Sequence, residues 1–341
     1  MTAQGMEWSS SPSNPYYRDD TVTLLLGDAL AVLSGLPDQS ADCIVTSPPY
    51  YGLRDYGTEG QYGLEETPAA YVEQMRQVFA EAWRVLADDG TLWVNLGDSY
   101  SGSWGNQSRS TERGKRRPVT TGMKQDVHDG RYPSTQSRTG ARKPGEPGPK
   151  NLFGIPWRVA FALQDDGWIL RNEIIWHKTN AMPESVQDRL SGRHEHLFLF
   201  SKSERYSFDL DAIREPHTAP ERKAGARAFR ARDLNHSRTG TGSYTGPDAR
   251  GRNPGDVWSI PTRPYPQAHF AVFPIDIPLR AIKAGCRPGG VVLDPFSGSG
   301  TTGAAARQLG RKYVGIDLNP TYHDLAKERF AQGVLDLGPV A

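Results

Sequence analysis

Residues 289–319 read GGVVLDPFSGSGTTGAAARQLGRKYVGIDLN, and this stretch decides the fold. A short apolar run, VVLD (291–294), ends in an acid. A tight turn follows, with Gly298, Gly300 and Gly303 in G-x-G-x-x-G spacing. A small-residue helix from Ala304 to Leu309 then runs to Gly310, and a second run, KYVGID (312–317), closes on Asp317. Glycines let a backbone turn sharply and approach a ligand closely. An acid at the end of the second strand can accept both hydroxyls of a ribose. The pattern predicts a nucleoside-cofactor site at the carboxyl edge of a parallel sheet.

NAD enzymes use the same glycine spacing for a pyrophosphate. Here Asp294-Pro295-Phe296 precedes the glycines. An acid at that place repels a pyrophosphate but pairs with an ammonium or a sulfonium, and S-adenosylmethionine carries both cations.

Further runs lie upstream: TVTLLL (21–26), ADCIVT (41–46), TLWVNL (91–96), ILRNEIIW (169–176) and HLFLF (196–200). Continuous apolar runs of this length suit parallel strands buried on both faces. Thr67 and Pro68 are placed to cap and start a helix. Tyr71, Met75, Val78, Phe79, Ala82 and Leu86 then recur at helical spacing, with Gly90 as the predicted stop. Asn319 and Pro320 start another helix, with Tyr322, Leu325, Ala326 and Phe330 on one face. Strands alternating with helices predict an α/β fold, a Rossmann-like doubly wound, mostly parallel sheet.

Composition narrows the class. The chain has 341 residues, enough for one large domain with insertions or two modest ones. Hydrophobic residues make up 37% and mean hydropathy is −0.60, polar but sufficient for a core. No stretch approaches the roughly 18 apolar residues of a membrane helix. The N-terminus, MTAQGMEWSSSP, lacks the basic and apolar regions of a leader, so a cytoplasmic protein is expected. Cys43 and Cys286 are too few for a disulfide framework or a four-cysteine metal site. Net charge is only +1, but residues 101–150 carry +7 and residues 214–254 carry +5, leaving −11 elsewhere. Two basic, Gly/Ser/Pro-rich inserts on an acidic body suit a polyanionic partner, and equally two solvated loops.

The second motif is Thr46-Ser47-Pro48-Pro49-Tyr50, directly after ADCIV. Two prolines fix the backbone and remove two N–H donors. The carbonyls left over can face a ligand's amino hydrogens, Ser47 adds a hydroxyl acceptor and Tyr50 a flat face for a base. An exocyclic amine delocalises its lone pair into the ring. Accepting both its hydrogens favours a pyramidal nitrogen whose lone pair points outward, toward an electrophilic methyl.

Together these motifs resemble the amino-directed DNA methyltransferases, in the permuted group whose catalytic motif precedes the cofactor motif. Ser47-Pro48-Pro49-Tyr50 matches the family's (D/N/S)-P-P-(Y/F) motif, and Phe296-Ser297-Gly298-Ser299-Gly300 its F-x-G-x-G motif. Asp317 matches the acid after the second strand. LLLGDAL resembles the segment whose acid lies near the cofactor's adenine, which indicates Asp28. HFAVFPIDIPLRAI resembles the element packing by the methionine moiety. The resemblance implies S-adenosyl-L-methionine as cofactor, held by Asp28, Asp294, Phe296, Ser297, Gly298, Gly300, Thr301 and Asp317. It implies double-stranded DNA as partner, base flipping, and direct in-line transfer. A cognate restriction endonuclease can accompany such an enzyme, which is expected as a monomer or homodimer.

Ser at the first motif position resembles the cytosine-N4 enzymes, whereas Asp or Asn is more typical of adenine-N6 enzymes; RNA and protein amines are further substrates of related motifs. Ser47, Pro48, Pro49 and Tyr50 are the predicted catalytic residues. Asp98, in NLGD, is a candidate to polarise Ser47, the alternative being that it caps the following turn. C5-cytosine chemistry needs a cysteine nucleophile, and neither cysteine follows a proline as that family's does. No metal site is predicted: His194-Glu195-His196 lacks a third ligand, and with Trp176-His177-Lys178 reads as structural or DNA-adjacent. Arg54 and Asp55 are expected to order the motif loop or approach DNA. The expected segmentation is a tail (1–20), a catalytic half (21–100), a basic insert (101–150), remaining strands (151–213), a second basic insert as candidate target reader (214–255) and a cofactor-binding half (256–335). Residues 101–150 and the 179–255 region are the candidates for target recognition.

Overall fold

The computed structural model describes residues 15–53, 57–101, 147–217, 250–263 and 273–331. Arg54, Asp55 and most of both basic inserts lie outside the described residues. The strands are β1 (Tyr17–Arg18), β2 (Val22–Leu26), β3 (Ala41–Thr46), β4 (Leu86–Leu96), β5 (Ile169–His177), β6 (His194–Ser201), β7 (Val257–Ser259), β8 (Val291–Asp294) and β9 (Lys312–Asp317). They form one sheet in the order β1-β2-β9-β8-β3-β4-β6-β5-β7.

Strands β2, β9, β8, β3 and β4 are parallel neighbours. β6 runs against both β4 and β5, β7 is parallel to β5, and β1 is antiparallel to β2. The sheet is thus mostly parallel, with HLFLF as a reversed strand. A fully buried apolar run looks the same in either direction, so its sequence carries no sign of the reversal.

Helices cover both faces. α1 (Ala29–Ser34), α2 (Pro68–Val85) and α3 (Ile155–Asp165) pack on one, sharing a core that includes Leu33, Met75, Phe79 and Val159. α4 (Asp276–Gly285), α5 (Thr301–Gln308) and α6 (Pro320–Ala331) cover the other through Ile277, Ile282, Ala305, Ala306 and Phe330. α2 starts as its sequence predicts: Thr67 accepts from Ala70 N at 3.1 Å and Pro68 opens the helix. Tyr71, Met75, Val78, Phe79, Ala82 and Val85 are fully buried, and the larger of these contribute about 1.5–3 kcal/mol each.

Gly90 does not stop this helix. The chain turns extended at Leu86 and enters β4, with Gly90 inside the strand. A Cβ there would stand 2.6 Å from Leu86 Cδ1 and 2.9 Å from the Asp42 carbonyl oxygen, so the glycine serves close packing rather than a cap.

Candidate active site

The topology gathers chemistry at one edge. The carboxyl ends of β2, β9, β8, β3 and β4 lie along it, and so does the end of β5. Because β6 is reversed, its first residues arrive at the same edge: Leu96 pairs with His196, and Trp176 with Glu195.

The glycine turn is built around two acids. Asp294 is 1% exposed and accepts from Thr46 Oγ1 at 2.7 Å and from Phe296 N at 3.0 Å. Burial pushes its carboxyl up to about 6, against the lowering effect of these donors. Asp317 accepts from Gly298 N and Asn319 N, both at 2.8 Å, and burial pushes it up to about 6 as well. Gly298 and Gly300 take φ of +51° and +74°, where a side chain is strained. At Gly300 a Cβ would also stand 2.8 Å from Ala326 and Phe330.

The neighbouring residues divide between frame and lining. Ser297 is nearly buried; its Oγ accepts from Tyr313 and its N–H binds the Ile316 carbonyl, so it braces the turn. Thr301 Oγ1 accepts from Arg329. Phe296 meets Tyr62 edge-on at 5.4 Å. Asp28 caps α1 through Ala31 N and takes a 2.8 Å bond from the Tyr62 hydroxyl. Sequence reasoning passed over Tyr62, which lies in a loop without regular pattern.

These residues fit a cationic cofactor. Among the described residues no lysine or arginine forms an ion pair with Asp294 or Asp317. Ser299 Oγ is buried in the turn without a partner among the described residues. A buried acid and a half-buried one, unpaired with any cation among the described residues, suit an ammonium or a sulfonium and repel a pyrophosphate.

The proline loop adjoins this turn through the Thr46–Asp294 bond. Ser47 Oγ donates to Tyr50 Oη at 3.3 Å, Tyr71 donates to the Pro49 carbonyl at 2.9 Å, and Leu53 N binds the Tyr50 carbonyl. Among the described residues none donates to the Pro48 carbonyl. Gly97 lets the Tyr50 ring approach: a Cβ there would stand 2.5 Å from Tyr50 Cε2.

The strand ending before Asp98 does neighbour the one ending before Ser47. The Asp98 carboxylate, however, accepts from Ser99 N (2.9 Å), Gly154 N (2.9 Å) and Ile155 N (3.1 Å). It caps α3, whose N-cap residue, Gly154, has no side chain to do so. The hydroxyl chain from Ser47 leads elsewhere, to Glu195: Tyr50 Oη donates to Glu195 Oε2 at 2.6 Å. Lys178 Nζ meets Glu195 Oε1 at 2.5 Å, and Asn95 Nδ2 reaches Oε2 at 3.1 Å. His196 points to Glu173 instead, Nδ1 to Oε1 at 2.6 Å, so His-Glu-His does not converge on one point.

Both cysteines are buried. Burial pushes the Cys43 thiol well up and the Cys286 thiol up to about 12, which keeps both protonated and poor as nucleophiles. No helix among the described residues is long and apolar enough to cross a membrane.

A permuted doubly wound sheet, an acid-flanked glycine turn and an adjoining Ser-Pro-Pro-Tyr loop define an amino-directed methyltransferase. Residues 41–328 match the N6/N4 DNA methylase family, and the chain belongs to it. The cofactor of this family is S-adenosylmethionine. The chain is 46% identical over 307 residues to the type II methyltransferase M.Cfr9I of Citrobacter freundii, covering 90% of this chain and 87% of that one. It is 44% identical over 306 residues to the type II methyltransferase M.SmaI of Serratia marcescens, covering 90% and 89%. Among solved structures it shares its fold with the PvuII cytosine-N4-specific DNA methyltransferase, with a TM-score of 0.61, 20% identity, and coverage of 98% and 92%.

Proposed function

We propose that this chain transfers a methyl group from S-adenosylmethionine to the N4 amine of cytosine in double-stranded DNA, at a specific site and with the base flipped out of the helix. The observation that carries this reading is Ser47. A neutral hydroxyl, not a carboxylate or carboxamide, stands at the head of the proline loop with its proton directed to Tyr50.

Bound in the glycine turn, the cofactor supplies an electrophilic methyl group on a sulfonium. Asp294 and Asp317 would hold its cationic and ribose ends, and Asp28 with Tyr62 the adenine side. The Pro48 carbonyl and Ser47 Oγ accept the two amine hydrogens, which aligns the nitrogen lone pair with the methyl. Tyr50 offers its ring to the flipped base. The contribution is positioning and electrostatics rather than base catalysis by Ser47.

The type II names of the relatives support a site-specific modification enzyme, for which a restriction endonuclease of the same specificity is the natural partner. The basic inserts are proposed to neutralise phosphates, with 179–255 reading the target. The test is nucleoside mass spectrometry after incubation of unmethylated DNA with isotopically labelled S-adenosylmethionine. Label in N4-methylcytosine supports the reading. Label in N6-methyladenine retains the amine chemistry and overturns the base assignment; no label in any DNA nucleoside overturns the DNA substrate.

A further inference from the structure

The proline loop does not end at Tyr50. Its hydroxyls form a chain, Ser47 O–H to Tyr50 Oη and Tyr50 O–H to Glu195 Oε2, and the second link is short at 2.6 Å. Every donor in it points toward Glu195. The first link is long for a pair of hydroxyls, and such bonds shorten when substrate completes a site.

Glu195 is held from three sides. Lys178, directly after β5, takes Oε1, and the Lys178 ammonium also lies 4.8 Å above the Trp176 ring. Asn95 on β4 donates to Oε2 and to the His196 carbonyl. To do so it leaves its own Oδ1 buried without a partner among the described residues. An orphaned buried acceptor costs free energy, so the amide is turned to serve Glu195 at its own expense. The pair is also poorly exposed, 14% for Glu195 and 23% for Lys178. A mostly buried ion pair is a weak source of stability, whereas a carboxylate fixed at the end of a hydroxyl chain suits a proton acceptor.

We infer that Glu195 is a positioning residue of the transfer reaction: through Tyr50 it orients the Ser47 hydroxyl toward the target amine, and it receives the proton that the methylated amine sheds. This rests on the amine-methylation reading above. As the nitrogen–methyl bond forms and the sulfur–methyl bond breaks, the nitrogen is left with one proton in excess. That proton passes to Ser47 Oγ, the Ser47 proton to Tyr50 Oη and the Tyr50 proton to Glu195 Oε2. No other reactant is needed, and Glu195, at the rim of the sheet edge, returns its proton to solvent after turnover. The role for which Asp98 is a candidate in the sequence thereby falls to a residue on the neighbouring reversed strand.

The test uses the full chain with its DNA substrate in single-turnover methyl transfer. Three variants are compared: Tyr50→Phe, which keeps the ring and the Lys178–Glu195 pair; Glu195→Gln, which keeps an acceptor for Tyr50 without the charge; and the double variant. Each single variant is expected to slow transfer about 100-fold or more. Cofactor and DNA dissociation constants should stay within about twofold, and the double variant should be no slower than the slower single, since both cut one chain. Multiplying losses, or losses confined to DNA binding, overturn the inference and leave a structural contact. Transfer at the unaltered rate in folded Tyr50→Phe overturns it as well, even if Glu195→Gln fails to fold. Absence of amine methylation by the unaltered protein would sink the functional reading instead, so the two failures are distinguishable.

Discussion

Lowering the pH should weaken the cofactor through Asp294, and the size of the effect follows from burial. Its carboxyl stands at about 6 against an ordinary 3.8, with no cation among the described residues to offset desolvation. The difference corresponds to about 3 kcal/mol for keeping the carboxylate ionised in the ligand-free fold. A carboxyl raised in the folded state stabilises the fold while protonated. That contribution is complete below about pH 3.8 and is lost as pH rises through about 6. At about pH 7.5 the ligand-free protein therefore carries a buried charge that a sulfonium or ammonium relieves.

Below pH 6 the cation must first displace a proton, so cofactor affinity should fall about tenfold per pH unit. If Asp317, also raised to about 6, ionises in the same step, the loss approaches about a hundredfold. Titration calorimetry from about pH 5 to 7.5, in two buffers of different ionisation enthalpy, reads both the dissociation constant and the protons released. About one to two protons should leave per cofactor near pH 5 and none near pH 7.5. Asp294→Asn should bind the cofactor at least about tenfold more weakly at pH 7.5 while its ligand-free melting temperature holds or rises. A dissociation constant that stays flat across this range, with no proton exchange, refutes the reasoning.

Asp98→Asn should cost about 1–2 kcal/mol of stability, read as a lower denaturation midpoint, because it disturbs three backbone bonds at the start of α3; turnover per folded molecule should persist, unlike in the Glu195 variant. Gly97→Ala places a Cβ 2.5 Å from the Tyr50 ring; methyl transfer should fall about tenfold or more while calorimetry finds cofactor binding unchanged. Met182 and Leu190 are 86% and 91% exposed in the β5–β6 connection, beside the edge to which the proposed function brings DNA. Replacing both with serine should weaken DNA binding about tenfold in an anisotropy titration, as for lost apolar wedges, without lowering the melting temperature.

The glycine turn and its flanking acids were legible because their physics is local. Gly298 and Gly300 sit where only a positive φ closes the turn, and Asp294 and Asp317 end the strands on either side. The Thr67–Pro68 helix start was legible for the same reason. What stayed hidden depended on contacts distant in sequence. Glu195 reaches Tyr50 across 145 residues, only because β6 is reversed, and no periodicity within HEHLFLF reveals that. Between the two readings of Asp98 the sequence could not choose, because its partners at 154 and 155 belong to a helix beyond the first basic insert. Gly90 resembled a stop because a glycine after an amphipathic run usually is one; here Leu86 and Asp42 crowd its Cβ position.

The bond from Thr46 to Asp294 joins residues 248 apart. A ribosome adding about 5–20 residues per second makes these partners roughly 12–50 s apart. Throughout that interval the Ser-Pro-Pro-Tyr loop exists without the turn that serves it, and β3 waits with one edge open where β8 will pair. A nascent or prematurely released chain is thus chemically silent, and its open edge marks it for chaperones or proteases. The capacity to modify DNA arrives late in synthesis and all at once, when the last two parallel strands close the middle of the sheet.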